Sequence, residues 1–214
     1  MNYTTKKEDY FKNIRRDLIS FIDKKKGCKV LEVGAANGET LAFLKNQGIA
    51  TEVVGVDVVG GSKNHAIDTF IVGEIEQVDL SKYSNYFDVI ILADVLEHLS
   101  DPLEVLKRLK AYLKSDGEFL ISMPNIRNAK SLYKIVVKGS FAYEERGVFD
   151  ATHLRFFCKK DIVKLVADAD LRIEQIASSF KRRKGNLFIK TLNTLSFGLF
   201  EEFFTVQYLV KATM

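Results

Sequence analysis

The sequence predicts an α/β fold: a mostly parallel sheet with helices on both faces. Three observations carry this. Short apolar runs alternate with segments of helical periodicity along most of the 214 residues. A bend of small residues, Gly34 to Gly38, follows the first apolar run and opens a helical segment. The run Phe87 to Ala93 lacks polar alternation, as in a strand buried on both faces. In such a sheet ligands bind beyond the carboxyl ends of the strands, so the residues after each strand are the functional candidates.

The elements follow in order. Tyr10, Phe11, Ile14, Leu18, Phe21 and Ile22 recur at helical spacing, which predicts an amphipathic helix within residues 1–26, ended by Gly27. Lys29 to Val33 is the first strand, and a helix through Leu41, Leu44 and Lys45 stops near Gly48. Glu52 to Asp57, Phe70 to Val72 and Phe87 to Ala93 are the next three strands. Asp101 to Leu113 is a helix with Pro102 in its first turn, and Gly117 to Met123 is a fifth strand stopped by Pro124. Asp161 to Ala169 is a helix; Arg172 to Ala177 and Thr205 to Ala212 are the sixth and seventh strands. Residues 125–157, rich in Tyr, Phe, Arg and Gly, form a lid or substrate-binding insertion in one domain that spans 1–214.

Composition narrows the class of function. The net charge is +4 and basic residues stand beside acidic ones, so no nucleic acid partner is expected; Lys181 to Lys184 reads as a solvated loop. The apolar stretch Leu187 to Val210 is broken by Lys190, Asn193, Glu201 and Glu202, so no transmembrane segment is expected. Cys28 and Cys158 are far apart and form no metal or dithiol spacing, which fits a reducing cytoplasm.

Candidate ligand-binding residues cluster at strand ends. In Glu32 to Gly38, glycine lets backbone approach a ligand closely. A dinucleotide-binding fingerprint starting at Gly34 requires glycines where Ala36 and Glu39 stand, and Glu39 repels a pyrophosphate at the helix start. A phosphate-free ligand with cationic and anionic ends fits better: Glu32 faces the cation, and the backbone amides of Gly34, Ala35 and Gly38 face the anion. Asp57, nineteen positions after Gly38, is placed to accept from ribose hydroxyls, with Val58 beside it. Glu74 and Ile75, after the third strand, are placed to meet an adenine amino group and ring face.

Leu31 to Gly38, Val56-Asp57, Gly73-Glu74 and the run Phe87 to Pro102 together resemble the ordered motifs of class I S-adenosylmethionine-dependent methyltransferases. The resemblance implies a Rossmann-like sheet of seven strands with the last antiparallel. It also implies S-adenosylmethionine as cofactor, S-adenosylhomocysteine as product, and Ala93, Asp94 and Val95 beside the methionyl part. Ala36 departs from the family's middle glycine. Met123 to Asn128, Tyr143 to Phe157 and Gln207 to Val210 are similar to a bacterial branch associated with glycan and surface-polysaccharide assembly. The implied partner is a small-molecule or glycan acceptor; a homodimer is one option for assembly, which the sequence does not decide.

An aliphatic hydroxyl is a poor nucleophile until its proton leaves, and histidine is the usual acceptor of that proton near neutral pH. Of His65, His98 and His153, the first lies in a polar segment. His153, between Asp150 and Arg155, is the candidate general base, and His98 borders the cofactor motifs. Each also has a purely structural reading, His98 as a helix cap or packing residue and His153 as a pin for the insertion. Asn125, Tyr143 and Arg155 are the candidate acceptor contacts, and no metal is assigned although Asp94, Glu97, His98 and Asp101 lie close in sequence. Two rival readings are an NAD-binding oxidoreductase on the same kind of sheet and a non-catalytic subunit that binds S-adenosylmethionine.

Overall fold

The computed structural model describes residues 14–22, 27–59, 65–182, 191, 193–195, 198 and 200–214. Seven strands form one sheet: β1 (Cys28–Val33), β2 (Ala50–Asp57), β3 (Thr69–Val72), β4 (Phe87–Ala93), β5 (Leu113–Pro124), β6 (Arg172–Ser178) and β7 (Gln207–Thr213). Their order is β3-β2-β1-β4-β5-β7-β6. All neighbours run parallel except β7, which is antiparallel to both β5 and β6.

The absence of polar alternation in β1 and β4 has its cause in the packing, because both faces are covered. On one face Leu31, Val33, Ile90 and Leu92 pack with Leu106 and Leu109 of α3 (Pro102–Lys110) and Ile162 and Val166 of α5 (Lys159–Asp168). On the other, Val30, Val53, Val89 and Ile91 pack with Leu41 and Leu44 of α2 (Glu39–Asn46) and with Leu18 and Phe21, in and just after α1 (Arg16–Ile19). Edge strand β6 carries exposed Arg172, Glu174 and Gln175, charge and polarity that discourage edge-to-edge pairing.

The expected strands and helices differ from the structure mainly at their ends. The helix read from Asp101 to Leu113 stops at Lys110, because Leu113 already pairs with Phe87 and opens β5. Its start is as expected: the Asp101 side chain accepts from the Glu104 amide at 3.0 Å and Pro102 follows. Of the expected opening helix, Arg16–Ile19 is helical, while Tyr10 and Phe11 lie outside the described residues, as do Arg183 and Lys184 of the basic run.

The stretch 125–157 has structure of its own. Asn128 caps α4 (Ala129–Leu132), accepting from the Ser131 amide at 3.1 Å, and a π-helical turn, Tyr133–Val137, continues it. Isolated bridges join Asn125 to Phe157 and Glu144 to Asp150. Phe141 stacks edge-on against Phe149 and Phe156, each at 5.1 Å, and Phe149 and Phe157 are buried. No helix among the described residues is long and apolar enough to cross a membrane.

Candidate active site

The bend after β1 is built of left-handed backbone. Gly34 has φ +70°, and a Cβ there would stand 2.7 Å from Val95 Cγ2, too close for any side chain. Ala36 holds φ 49° in spite of its methyl group. Its amide donates to Asp57 Oδ2 at 2.7 Å, while Asp57 Oδ1 accepts from the Val59 amide at 2.8 Å. Asp57 thereby ties the bend to the end of β2, and Val58 beside it is 44 % exposed.

Glu32, the next-to-last residue of β1, is buried, and its Oε2 has no hydrogen-bond partner among the described residues. Burial pushes its carboxyl up to about 8, against the pull of Arg15 and Thr40 and with added repulsion from Asp57. A buried carboxylate oxygen with no hydrogen-bond donor is the kind of atom that waits for a cation.

Asp94, just past β4, also has left-handed backbone, φ 58°. Its side chain is the centre of a network. Arg15 Nη1 donates to Oδ2 at 2.9 Å, Ser122 Oγ to Oδ1 at 2.9 Å, and Gln207 Nε2 to the same Oδ1. Arg15 also grips Asp17 at 3.0 Å and Ser122 Oγ at 2.9 Å. Burial works against the Arg15 charge, but Asp94, Asp17 and Glu32 outweigh it and hold its pKa above the ordinary value. Sequence reasoning missed Arg15, Ser122 and Gln207. They come from the N-terminal segment, β5 and β7; nothing local to Arg15 or Ser122 separates them from surface polar residues, and Gln207 enters the sequence reading only within the resemblance of Gln207 to Val210, without a role.

After β3, Glu74 is exposed and accepts from Gln77 Nε2 at 2.8 Å, whereas Ile75 is 4 % exposed within the core. Ala93 and Asp94 are half-buried, and Val95 is buried against Gly34.

Beyond Asp94 the structure joins two distant segments. The Leu154 and Arg155 amides both donate to the Glu97 carbonyl, at 2.9 and 3.1 Å, so the insertion is clamped onto the turn after β4. This brings His153 against His98, ring centroids 4.6 Å apart and edge-on, with His153 Nε2 3.9 Å from Glu97 Oε1. His98 Nδ1 lies 3.0 Å from the Thr152 carbonyl oxygen and His153 Nδ1 2.9 Å from that of Val148. Glu97 is 1 % exposed, and neither carboxylate oxygen has a hydrogen-bond partner among the described residues. Burial, with Asp94 close by, pushes its carboxyl well above the ordinary range.

The other sequence candidates are placed differently. Asn125 is fully buried and its amide nitrogen donates to the carbonyls of Glu202 and Thr205, each at 2.8 Å. Arg155 donates through Nε to the Leu99 carbonyl at 3.3 Å and through Nη2 to that of Ser100. Tyr143 stands 57 % exposed on the insertion, edge-on to Phe141. His65 is exposed, as its polar surroundings predict.

A family profile described as a methyltransferase domain matches residues 6–176. The chain belongs to this methyltransferase family. One relative, the ubiquinone biosynthesis O-methyltransferase of Yersinia enterocolitica, is 28 % identical over 158 residues, covering 69 % of this chain and 63 % of its own length. The methyltransferase thus spans under two thirds of that relative. A solved S-adenosylmethionine-dependent methyltransferase from Mesorhizobium loti superposes with a TM-score of 0.65 at 13 % identity, covering 92 % of this chain and 96 % of its own. The Burkholderia thailandensis 1,6-didemethyltoxoflavin-N1-methyltransferase, solved with its acceptor and S-adenosylhomocysteine, gives 0.61 at 16 % identity, covering 92 % and 76 %. At such identities the two structures bear on the fold alone.

The methyl donor expected for the family is S-adenosylmethionine, and S-adenosylhomocysteine, its demethylated product, is bound in the Burkholderia structure. The residues present fit it: Glu32 offers a buried, unpartnered oxygen to an ammonium, and the left-handed bend keeps side chains out of the backbone's approach. The donor supplies an electrophilic methyl group on a sulfonium. With the family settled, the oxidoreductase reading falls away.

Proposed function

We propose that this methyltransferase places its methyl group on a hydroxyl of a small acceptor, a sugar or glycan intermediate, in the cytoplasm. The observation that carries the reading is the polar trio of Glu97, His98 and His153 beside the Asp94 network, at the carboxyl end of β4. A hydroxyl must lose its proton near the methyl donor, and this trio is the place for that loss, with His153 nearest in role to a general base and His98 beside it. The relatives' name as O-methyltransferases supports a hydroxyl acceptor. The exposed rings of Tyr133, Phe141 and Tyr143 on the insertion suit the apolar face of a sugar ring, and Cys28 and Cys158, not joined in a disulfide, suit a reducing compartment.

For the donor, Glu32 takes the ammonium, the amides of Gly34, Ala35 and Gly38 the carboxylate, and Asp57 the ribose hydroxyls. Ala93, Asp94 and Val95 line the methionyl part. Val58, exposed beside Asp57, covers the adenine face more readily than the core residue Ile75, and Glu74 meets the adenine amino group. Asn125 acts on the acceptor by fixing the end of β5, and Tyr143 by direct contact. Arg155 holds the carbonyls of Leu99 and Ser100 and so positions the neighbouring His153.

Mass spectrometry of small-molecule and glycan-precursor extracts, incubated with enzyme and isotopically labelled donor, tests this. Labelled O-methyl products are expected, with turnover lost in His153→Ala and S-adenosylhomocysteine affinity kept. Label found only on nitrogen or carbon overturns the hydroxyl reading.

A further inference from the structure

We infer that Glu97, His98 and His153 form a binding site for one divalent transition-metal ion. This rests on the acceptor reading above and refines how the hydroxyl is activated. One donor atom from each residue lies within 4.8 Å of the others. Metal bonds of about 2.0–2.2 Å at tetrahedral angles set ligand atoms about 3.4 Å apart, so closure of up to about 1.4 Å completes the set.

Three features point to a cation. Glu97 is 1 % exposed and neither oxygen has a hydrogen-bond donor among the described residues, an arrangement that costs stability unless something positive arrives. Both imidazoles present Nδ1 to a backbone carbonyl, of Thr152 and Val148, and a carbonyl only accepts. In the neutral rings Nδ1 therefore carries the hydrogen and Nε2 the lone pair, the tautomer that a metal-binding histidine takes when a second group holds its other nitrogen. The backbone clamp of Leu154 and Arg155 on the Glu97 carbonyl fixes the distance between the segments that supply the donors.

Two imidazoles and one carboxylate favour zinc, iron or manganese over magnesium or calcium, which prefer all-oxygen shells. Three protein ligands leave a coordination position open. An acceptor hydroxyl there gives up its proton to water more readily than in solution. Its freed electron pair forms the bond to the methyl carbon, and the carbon–sulfur pair leaves with sulfur. In that arrangement His153 is a ligand and the cation does the work of the base.

The test is calorimetric titration of the chelator-stripped full chain with zinc chloride and with manganese chloride, using magnesium chloride as comparison. One site is expected for zinc or manganese, with affinity at least about 100-fold lower in Glu97→Gln and in His98→Ala. S-adenosylhomocysteine binding by both variants shows that they are folded. No heat with zinc or manganese in the wild type, or equal affinity in the variants, overturns the site. Full turnover by the stripped enzyme on a hydroxyl acceptor overturns the metal's catalytic part and leaves O-methylation standing. Metal binding without any O-methyl product leaves the site and removes the acceptor reading.

Discussion

If Glu32 is the ammonium's partner, as proposed, cofactor binding is expected to depend on pH. Its carboxyl titrates near 8 in the folded chain against about 4.3 in an unfolded one. Between those values the folded protein holds a proton that the unfolded chain releases, so this group's stabilising contribution is present at acid pH and lost as pH rises toward 8. The melting temperature of the cofactor-free enzyme is therefore expected to fall across that interval, and less steeply in Glu32→Gln. Cofactor affinity has the opposite slope, because the ammonium needs the ionised form. Between about pH 6 and 7.5 the Kd for S-adenosylhomocysteine should drop by up to about tenfold per pH unit. A flat calorimetric profile would remove Glu32 as the ammonium's partner. At Ala36 the sequence departs from the family's glycine, and the backbone keeps the left-handed turn all the same, held by the Asp57 carboxylate on its amide.

Among the elements, the insertion between β5 and β6 is the proposed acceptor side. It carries α4, the π-helical turn and the aromatic cluster of Phe141, Phe149 and Phe156, and it is docked by the Glu97 carbonyl. Phe149 is 4 % exposed, so Phe149→Ala removes the insertion's main anchor. Truncating a buried Phe costs about 3–5 kcal/mol, concentrated here in the insertion rather than in the sheet. The expected result is a raised KM for acceptor and a lowered kcat with unchanged S-adenosylhomocysteine affinity. Equal losses in cofactor affinity would mean that the insertion and the donor pocket are one cooperative unit. Sequence periodicity gave the strands and main helices to within a few residues but showed 125–157 only as a lid or substrate-binding insertion without named elements, since its order comes from tertiary aromatic contacts and not from a repeating apolar face.

For the whole molecule, the sheet order places β1, β4, β5 and β7 side by side and sends residues far apart in sequence to one point. Arg15, Asp94, Ser122 and Gln207 meet there. Arg15→Ala removes the cation that pairs with Asp94 and leaves a half-buried aspartate, in left-handed backbone, to Ser122 and Gln207. Losing one partner of such a pair costs on the order of 3 kcal/mol when it is well buried and less at this exposure. Differential scanning calorimetry should show a lower melting temperature, and cofactor affinity should fall at least tenfold. A variant that melts and binds as the wild type would show that the ion pair positions nothing.

The sequence by itself determined the alternating architecture, the bend after β1, the acidic end of β2 and the family, because each is local: a period, a glycine, a carboxylate at a fixed distance along the chain. Only the tertiary structure decided that Arg15 and Gln207 reach Asp94, that Asn125 and Arg155 hold backbone carbonyls, and that His153 stands against Glu97 and His98. Those are contacts between segments separated by dozens of residues, and they are set by strand order and by the docking of the insertion, neither of which has a signature in the neighbouring amino acids.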